Sequence, residues 1–101
     1  MTALEVIAEP RRRDILDLLR QGEQPVGALV DALDLSQPNV SKHLRILREA
    51  GLVAARADGR QRVYRVLPEP LAELDAWLEP YRQLWTKRLD DLEARLDEME
   101  D

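Results

Sequence analysis

Apolar positions recur every three or four residues over the first half of the chain, alternate briefly in the middle, and return to the longer step for the last third. A step near 3.6 marks a helix with one buried face, and a step of two marks a strand. Leu4, Val6 and Ile7 thus predict a short helix over Ala3–Ala8, stopped before Pro10. Pro10 needs no N–H partner in a first turn, so it opens a second helix that buries Ile15, Leu16, Leu18 and Leu19 and ends at Gly22. A third helix begins at Pro25 or Val26 and runs to Leu33, with Val26, Leu29, Val30 and Leu33 inward, before a brief turn at Asp34-Leu35. The fourth has the clearest ends. Ser36 is a good N-cap, Pro38 falls in the first turn and Gly51 supplies the stop, while Val40, Leu44 and Leu47 form the inward stripe.

Opposite that stripe lie Pro38, Asn39, Lys42, Arg45 and Glu49, with Gln37, Ser41 and Arg48 on the flanks. Two short helices in tight sequence, the second with a polar and basic outer face, predict a helix-turn-helix that offers this face to the DNA major groove. After Gly51 the period shortens. Leu52, Val53 and Ala55, then Val63, Tyr64 and Val66, flank an Asp58-Gly59 turn signal, which predicts antiparallel strands over 52–57 and 61–66. Arg56, Arg60 and Arg62 surround that turn, as suits a wing lying along the DNA backbone or in the minor groove.

From Leu71 onward, Leu74, Leu78, Tyr81, Trp85, Leu89, Leu92, Leu96 and Met99 follow steps of three and four, a heptad-like stripe with a stutter. Pro80 lies inside the pattern and is expected to kink or restart the helix. A continuous helix here spans roughly 45–50 Å, longer than a small domain can cover, so a second copy of the chain is the expected cover. The expected homodimer interface comprises Leu74, Leu78, Tyr81, Trp85, Leu89 and Leu92, joined by Leu4 and Ile7 of the first helix. Trp77, Tyr81 and Trp85 then read as interface anchors, and Asp90, Asp91, Glu93, Asp97, Glu98, Glu100 and Asp101 as the wet face. The division is a DNA-binding domain over 1–67 and a dimerisation helix over 68–101. The fold class is mainly α with a small β-hairpin, a winged helix-turn-helix with a long C-terminal dimerisation helix.

Charge sharpens this picture. The net charge of −5 is unevenly spread: residues 36–66 hold seven basic groups against two acidic ones, whereas residues 67–101 hold four against eleven. The positive block suits phosphate attachment and the acidic tail discourages non-specific sticking. Arg11, Arg12 and Arg13 sit at the unfavourable end of their helix for cations, so they either meet an anion such as phosphate or pair locally with Glu9 and Asp14. With no cysteine there is neither a disulfide framework nor a thiolate metal site. No apolar run approaches the ~20 residues of a membrane span and no signal-peptide layout opens the chain, so a cytoplasmic location is expected, on the nucleoid when DNA-bound. Two serines, two threonines and one histidine in no catalytic register, and no glycine-rich phosphate loop, argue against an enzyme. The four aromatics, Tyr64, Trp77, Tyr81 and Trp85, form no stacking row in the basic stretch, which argues against single-stranded nucleic acid. A winged-helix module that binds protein through its coiled tail is the alternative. The basic face of the fourth helix speaks against it.

The runs E-P-R-R-R-D-I-L-D-L-L, L-S-Q-P-N-V-S-K-H-L-R-I-L-R-E-A-G-L-V and D-G-R-Q-R-V-Y-R-V resemble the ArsR/SmtB family of bacterial winged-helix repressors over residues 3–66. The resemblance implies a dimer that represses transcription, often its own, from an inverted-repeat operator until a signal releases it. It implies operator contacts from Ser36, Gln37, Asn39, Ser41, Lys42, His43 and Arg45, with Arg56, Arg60 and Arg62 in the wing. Members that sense soft metals carry cysteines in the helix before the turn, and alignment on Ser36-Gln37-Pro38 puts those positions at Pro25, Gly27 and Val30, none of which binds metal. The tail has no histidine for a zinc-type site, and the single histidine, His43, has no co-ligand, so packing or a phosphate contact is its expected role. No metal and no cofactor are expected, as in a non-metal-sensing branch of the family.

Overall fold

The computed structural model describes residues 1–100; Asp101 and the side chain of Glu100, both assigned above to the wet face of the tail, lie outside the described residues. The order is α1 (Ala3–Ile7), α2 (Pro10–Leu19), β1 (Gln24–Pro25), α3 (Val26–Leu33), α4 (Gln37–Glu49), β2 (Val53–Asp58), β3 (Gln61–Val66) and α5 (Glu69–Glu100). Contacts divide the chain into two units, Met1–Leu71 and the part of α5 from Ala72 onward.

In the first unit the helices start and stop for local reasons. Thr2 and Glu5 form a reciprocal capping box on α1, with the Thr2 hydroxyl accepting from the Glu5 N–H at 3.2 Å and the Glu5 carboxylate accepting from the Thr2 N–H at 3.1 Å. The α1–α2 corner explains the arginine triplet. Arg12 Nε donates to the Val6 carbonyl at 2.6 Å, and Arg13 donates to the carbonyls of Ile7 and Ala8 at 2.8 and 3.1 Å. Two cations badly placed for α2 thereby satisfy the orphan carbonyls at the negative end of α1. The expected pairing with acids holds only for Arg11, 3.5 Å from Asp14.

Between α3 and α4 the chain turns through Asp34, which adopts the left-handed conformation (φ 54°, ψ 42°) and donates its N–H to the Val30 carbonyl at 3.1 Å. Ser36 caps α4 by accepting from the Asn39 N–H at 3.3 Å. The far end of α4 is a Schellman motif: Gly51, at φ 76°, donates to Arg48 O at 3.0 Å and Leu52 donates to Leu47 O at 2.9 Å. Leu47 and Leu52 are both fully buried, and their packing fixes the exit of the chain toward the sheet.

The sheet is antiparallel, in the order β1-β3-β2. Its hairpin runs from Asp58 to Gln61, one residue later on the first strand than the sequence suggests, because Gly59 and Arg60 are the two loop residues. Gly59 has φ 62° and Arg60 does not have positive φ, the pattern of a type II′ turn with glycine at its first central position. Strand β1, unseen in the sequence, pairs Gln24 with Tyr64 and Pro25 with Val63. Two residues are too few to show a period, and Pro25 is tolerated because β1 is an edge. Val6, Ile15, Leu16, Leu19, Leu29, Val40, Leu44, Leu47, Leu52, Val53 and Tyr64 form one core beneath α1–α4 and the sheet.

Helix α5 begins at Glu69 and runs without a restart through Pro80. Its 32 residues span about 48 Å at the α-helical rise. Pro80 has no N–H for the preceding turn. Arg82 reaches back over the same stretch, donating to the Asp75 carbonyl at 2.6 Å while pairing with the carboxylates of Asp75 and, at 2.9 Å, Glu79. Trp77 and Tyr81 pack one turn apart, with ring centroids 5.0 Å apart and planes tilted by 41°.

Candidate nucleic-acid interface

The packing stripe of α4 is buried to the last atom: Val40, Leu44 and Leu47 are each 0 % exposed. Its other residues are therefore pinned outward. Ser36, Gln37, Asn39, Ser41, Lys42 and Arg45 are all exposed, as the expected readout positions require. The structure brings Gln37 and Ser41 together with Arg60, Gln61 and Arg62 of the wing and with Pro25–Ala28 at the start of α3, around one groove of ≈ 580 Å³. Tyr64 also lines it. The first turn of α3, which has no side-chain cap, lines the same groove, so the positive end of that helix lies beside the two arginines.

Lys42, Arg45, Arg60 and Arg62 have no carboxylate within 4.0 Å among the described residues. Their charge is available to an external anion. Exposed guanidinium and ammonium groups are the type that bind phosphate oxygens, and an amide and a hydroxyl are the types that hydrogen-bond base edges.

Two expected contact residues stand elsewhere. His43 is half-buried, with Nδ1 3.5 Å from an Arg12 guanidinium nitrogen. Burial first, and the charge of Arg12 second, hold its pKa below the usual imidazole range, so it favours the neutral form. That agrees with a packing position on the α2 side of α4. Arg56 does not line the groove; its guanidinium pairs with Glu23, in the loop before β1. Period-two counting shows why. Arg62 faces the same side of the sheet as Tyr64, whereas Arg56 stands opposite Val63 on the other side. Glu23 escaped the sequence reading because its only signal is proximity to a strand too short to notice.

Of the expected dimer residues, Leu4 (54 %), Tyr81 (44 %), Trp85 (54 %), Leu89 (65 %) and Leu92 (54 %) are exposed, while Ile7, Leu74 and Leu78 are half-buried. Leu84, Leu96 and Met99 extend the exposed apolar surface of α5. Among the described residues no group of three His, Cys, Asp or Glu side chains is placed to hold a metal ion, and no helix is long and apolar enough to cross a membrane.

Comparison with known proteins points the same way. Residues 9–55 match the sequence model described as "Bacterial regulatory protein, arsR family". The chain is similar to the HTH-type transcriptional regulator Rv2034 of Mycobacterium tuberculosis, 39 % identical over 86 % of this chain and 78 % of that one. It is also similar to the transcriptional repressor SmtB of the same species, 42 % identical over 70 % of this chain; the match spans about half (53 %) of that repressor's length. Among solved structures, a "possible transcriptional regulator for arsenical resistance" superposes with a TM-score of 0.73 at 47 % identity, covering 80 % of this chain and 84 % of that one. A homodimeric winged helix-turn-helix DNA-binding domain from Mycobacterium bovis superposes at 0.64 with 37 % identity, covering 78 % and 73 %.

Proposed function

The chain belongs to the arsR family of bacterial regulatory proteins, and from that premise we propose that it reads double-stranded DNA sequence-specifically as a dimeric transcriptional repressor. The observation that carries this is the shared groove. Gln37 and Ser41 of α4 face the same space as Arg60 and Arg62 of the wing, so base-reading amide and hydroxyl groups sit beside unpaired cations. Helix α4 enters the major groove, the wing follows the adjacent backbone, and Lys42 and Arg45 meet phosphates on the outer side. The exposed apolar stripe of α5 pairs with the same stripe of a second copy, and Leu4 adds a further apolar contact. Two copies then present two recognition helices to an inverted repeat. The chain acts in the cytoplasm, with no catalytic step and no metal in its repertoire.

Selection from a pool of randomised duplexes tests this directly. The expected product is a palindrome whose half-sites lie ~10–10.5 bp apart, or a multiple of that, and whose footprint covers both. Recovery of no common sequence, or protection of a single half-site by a lone subunit, refutes the assignment.

A further inference from the structure

The two faces of the sheet divide the wing's arginines between them. Val53, Ala55 and Ala57 of β2 stand opposite Val66, Tyr64 and Arg62 of β3 on one face; Ala54, Arg56 and Asp58 stand opposite Arg65, Val63 and Gln61 on the other. Pro25, paired with Val63, carries this second face across to β1. Glu23 completes it. Both of its carboxylate oxygens engage Arg56, with Nε to Oε2 at 3.2 Å and a still shorter contact from Nη2 to Oε1. The pair thus ties the residue that leads into one edge strand to the other edge strand, across the central strand that carries Val63, which is only 6 % exposed although it faces away from the core. A forked guanidinium–carboxylate contact fixes orientation as well as distance. Glu23 is held below the ordinary carboxylate range by the same bond.

We propose that Glu23 and Arg56 are a positioning pair that fixes the tilt of the β2–β3 wing against the β1–α3 segment, so setting where Arg60 and Arg62 meet the backbone, and that Arg56 itself does not contact phosphate. The proposal rests on the DNA-reading function above and assigns two residues that function does not use.

The experiment measures affinity by fluorescence anisotropy at several KCl concentrations, with a duplex enriched from a randomised pool by the unmodified chain. The variants are E23Q, R56Q, the double E23Q/R56Q and the reversed pair E23R/R56E. Exposed ion pairs of good geometry support an expected weakening of about two- to fivefold for each single variant. The double variant is expected to be no weaker than the worse single, the salt slope of every variant is unchanged, and the reversed pair recovers to within about twofold of the unmodified chain. A phosphate-contacting Arg56 gives opposite signs: E23Q tightens binding by freeing the cation, R56Q flattens the salt slope by about 0.9 per subunit, and E23R/R56E fails to recover. Any of these overturns the proposal. Should the reversed pair lose its cooperative thermal transition, the sign of E23Q and the slope of R56Q decide alone. Failure of the unmodified chain to enrich any duplex overturns the DNA-reading function and this proposal together, whereas enrichment followed by the opposite signs overturns only the pair.

Discussion

Removing the Arg60 side chain isolates what the wing contributes. Arg60 occupies the second loop position of the hairpin, is exposed, lines the groove shared with α4 and has no carboxylate within 4.0 Å among the described residues. Arg60→Ala therefore deletes a cation without breaking an internal contact, and folding stability should stay within about 0.5 kcal/mol. A dimer loses two such cations. Each neutralised phosphate contributes about 0.9 to the slope of log affinity against log salt, so the slope should flatten by about 1.8. Between about 50 and about 200 mM KCl, a fourfold change, the variant should lose roughly tenfold less affinity than the unmodified chain. Anisotropy titrations on the selected duplex and on a scrambled duplex of equal length measure this. The flattening should be the same on both, because phosphates carry no sequence. An unchanged slope, or a loss confined to the selected duplex, refutes the assignment of Arg60 to the backbone.

Gln37→Ala or Ser41→Ala should act the other way, leaving the salt slope unchanged while reducing discrimination against single base changes by about 1–3 kcal/mol per lost base contact; competition with a set of point-mutated duplexes would show it. Leu89→Lys, at a position 65 % exposed, should leave the helix and the DNA-binding unit folded and shift sedimentation from dimer to monomer, with an unchanged dimer removing α5 from the interface. His43 has a lower pKa folded than unfolded, so the unfolded chain takes up the proton first as pH falls through about 6.5; stability is full above that point and declines below it. His43→Gln should flatten the thermal-unfolding profile between about pH 7.5 and 5.5, and identical profiles would contradict the buried, neutral imidazole.

What was legible from the sequence was whatever repeats. The stripe Val40, Leu44, Leu47 with its Ser36 cap and Gly51 stop bracketed α4, which runs Gln37–Glu49, because periodicity and end signals agree there. The hairpin was found by its Asp-Gly turn but shifted by one residue, since either residue of that pair is able to start the loop and only the register distinguishes them. Strand β1 and the Glu23–Arg56 pair were invisible, because they join residues 33 apart through a strand of two residues. Arg12 and Arg13 show a related failure. Local helix electrostatics cast them as candidates for an anion or for neighbouring acids, whereas the partners they chose are carbonyls of the preceding helix, a tertiary fact. In the site, Gln37, Ser41, Arg60 and Arg62 were named from sequence and are brought together by the fold. The charge of Arg56 suits a wing contact, but its strand phase, opposite Val63, puts it on the far face.

The complete burial of one side of α4 and the near-absence of internal bonds on the other has an evolutionary corollary. Beyond the Ser36 cap, none of the outward side chains of Gln37, Ser41, Lys42 or Arg45 takes part in a hydrogen bond or ion pair among the described residues. Substitutions there are thermodynamically almost silent. On the proposed DNA-reading function, lineages carrying this scaffold are thus free to drift toward new genomic addresses by exchanging Gln37 and Ser41 while Lys42 and Arg45 keep the grip, and an engineer seeking to retarget it inherits the same latitude.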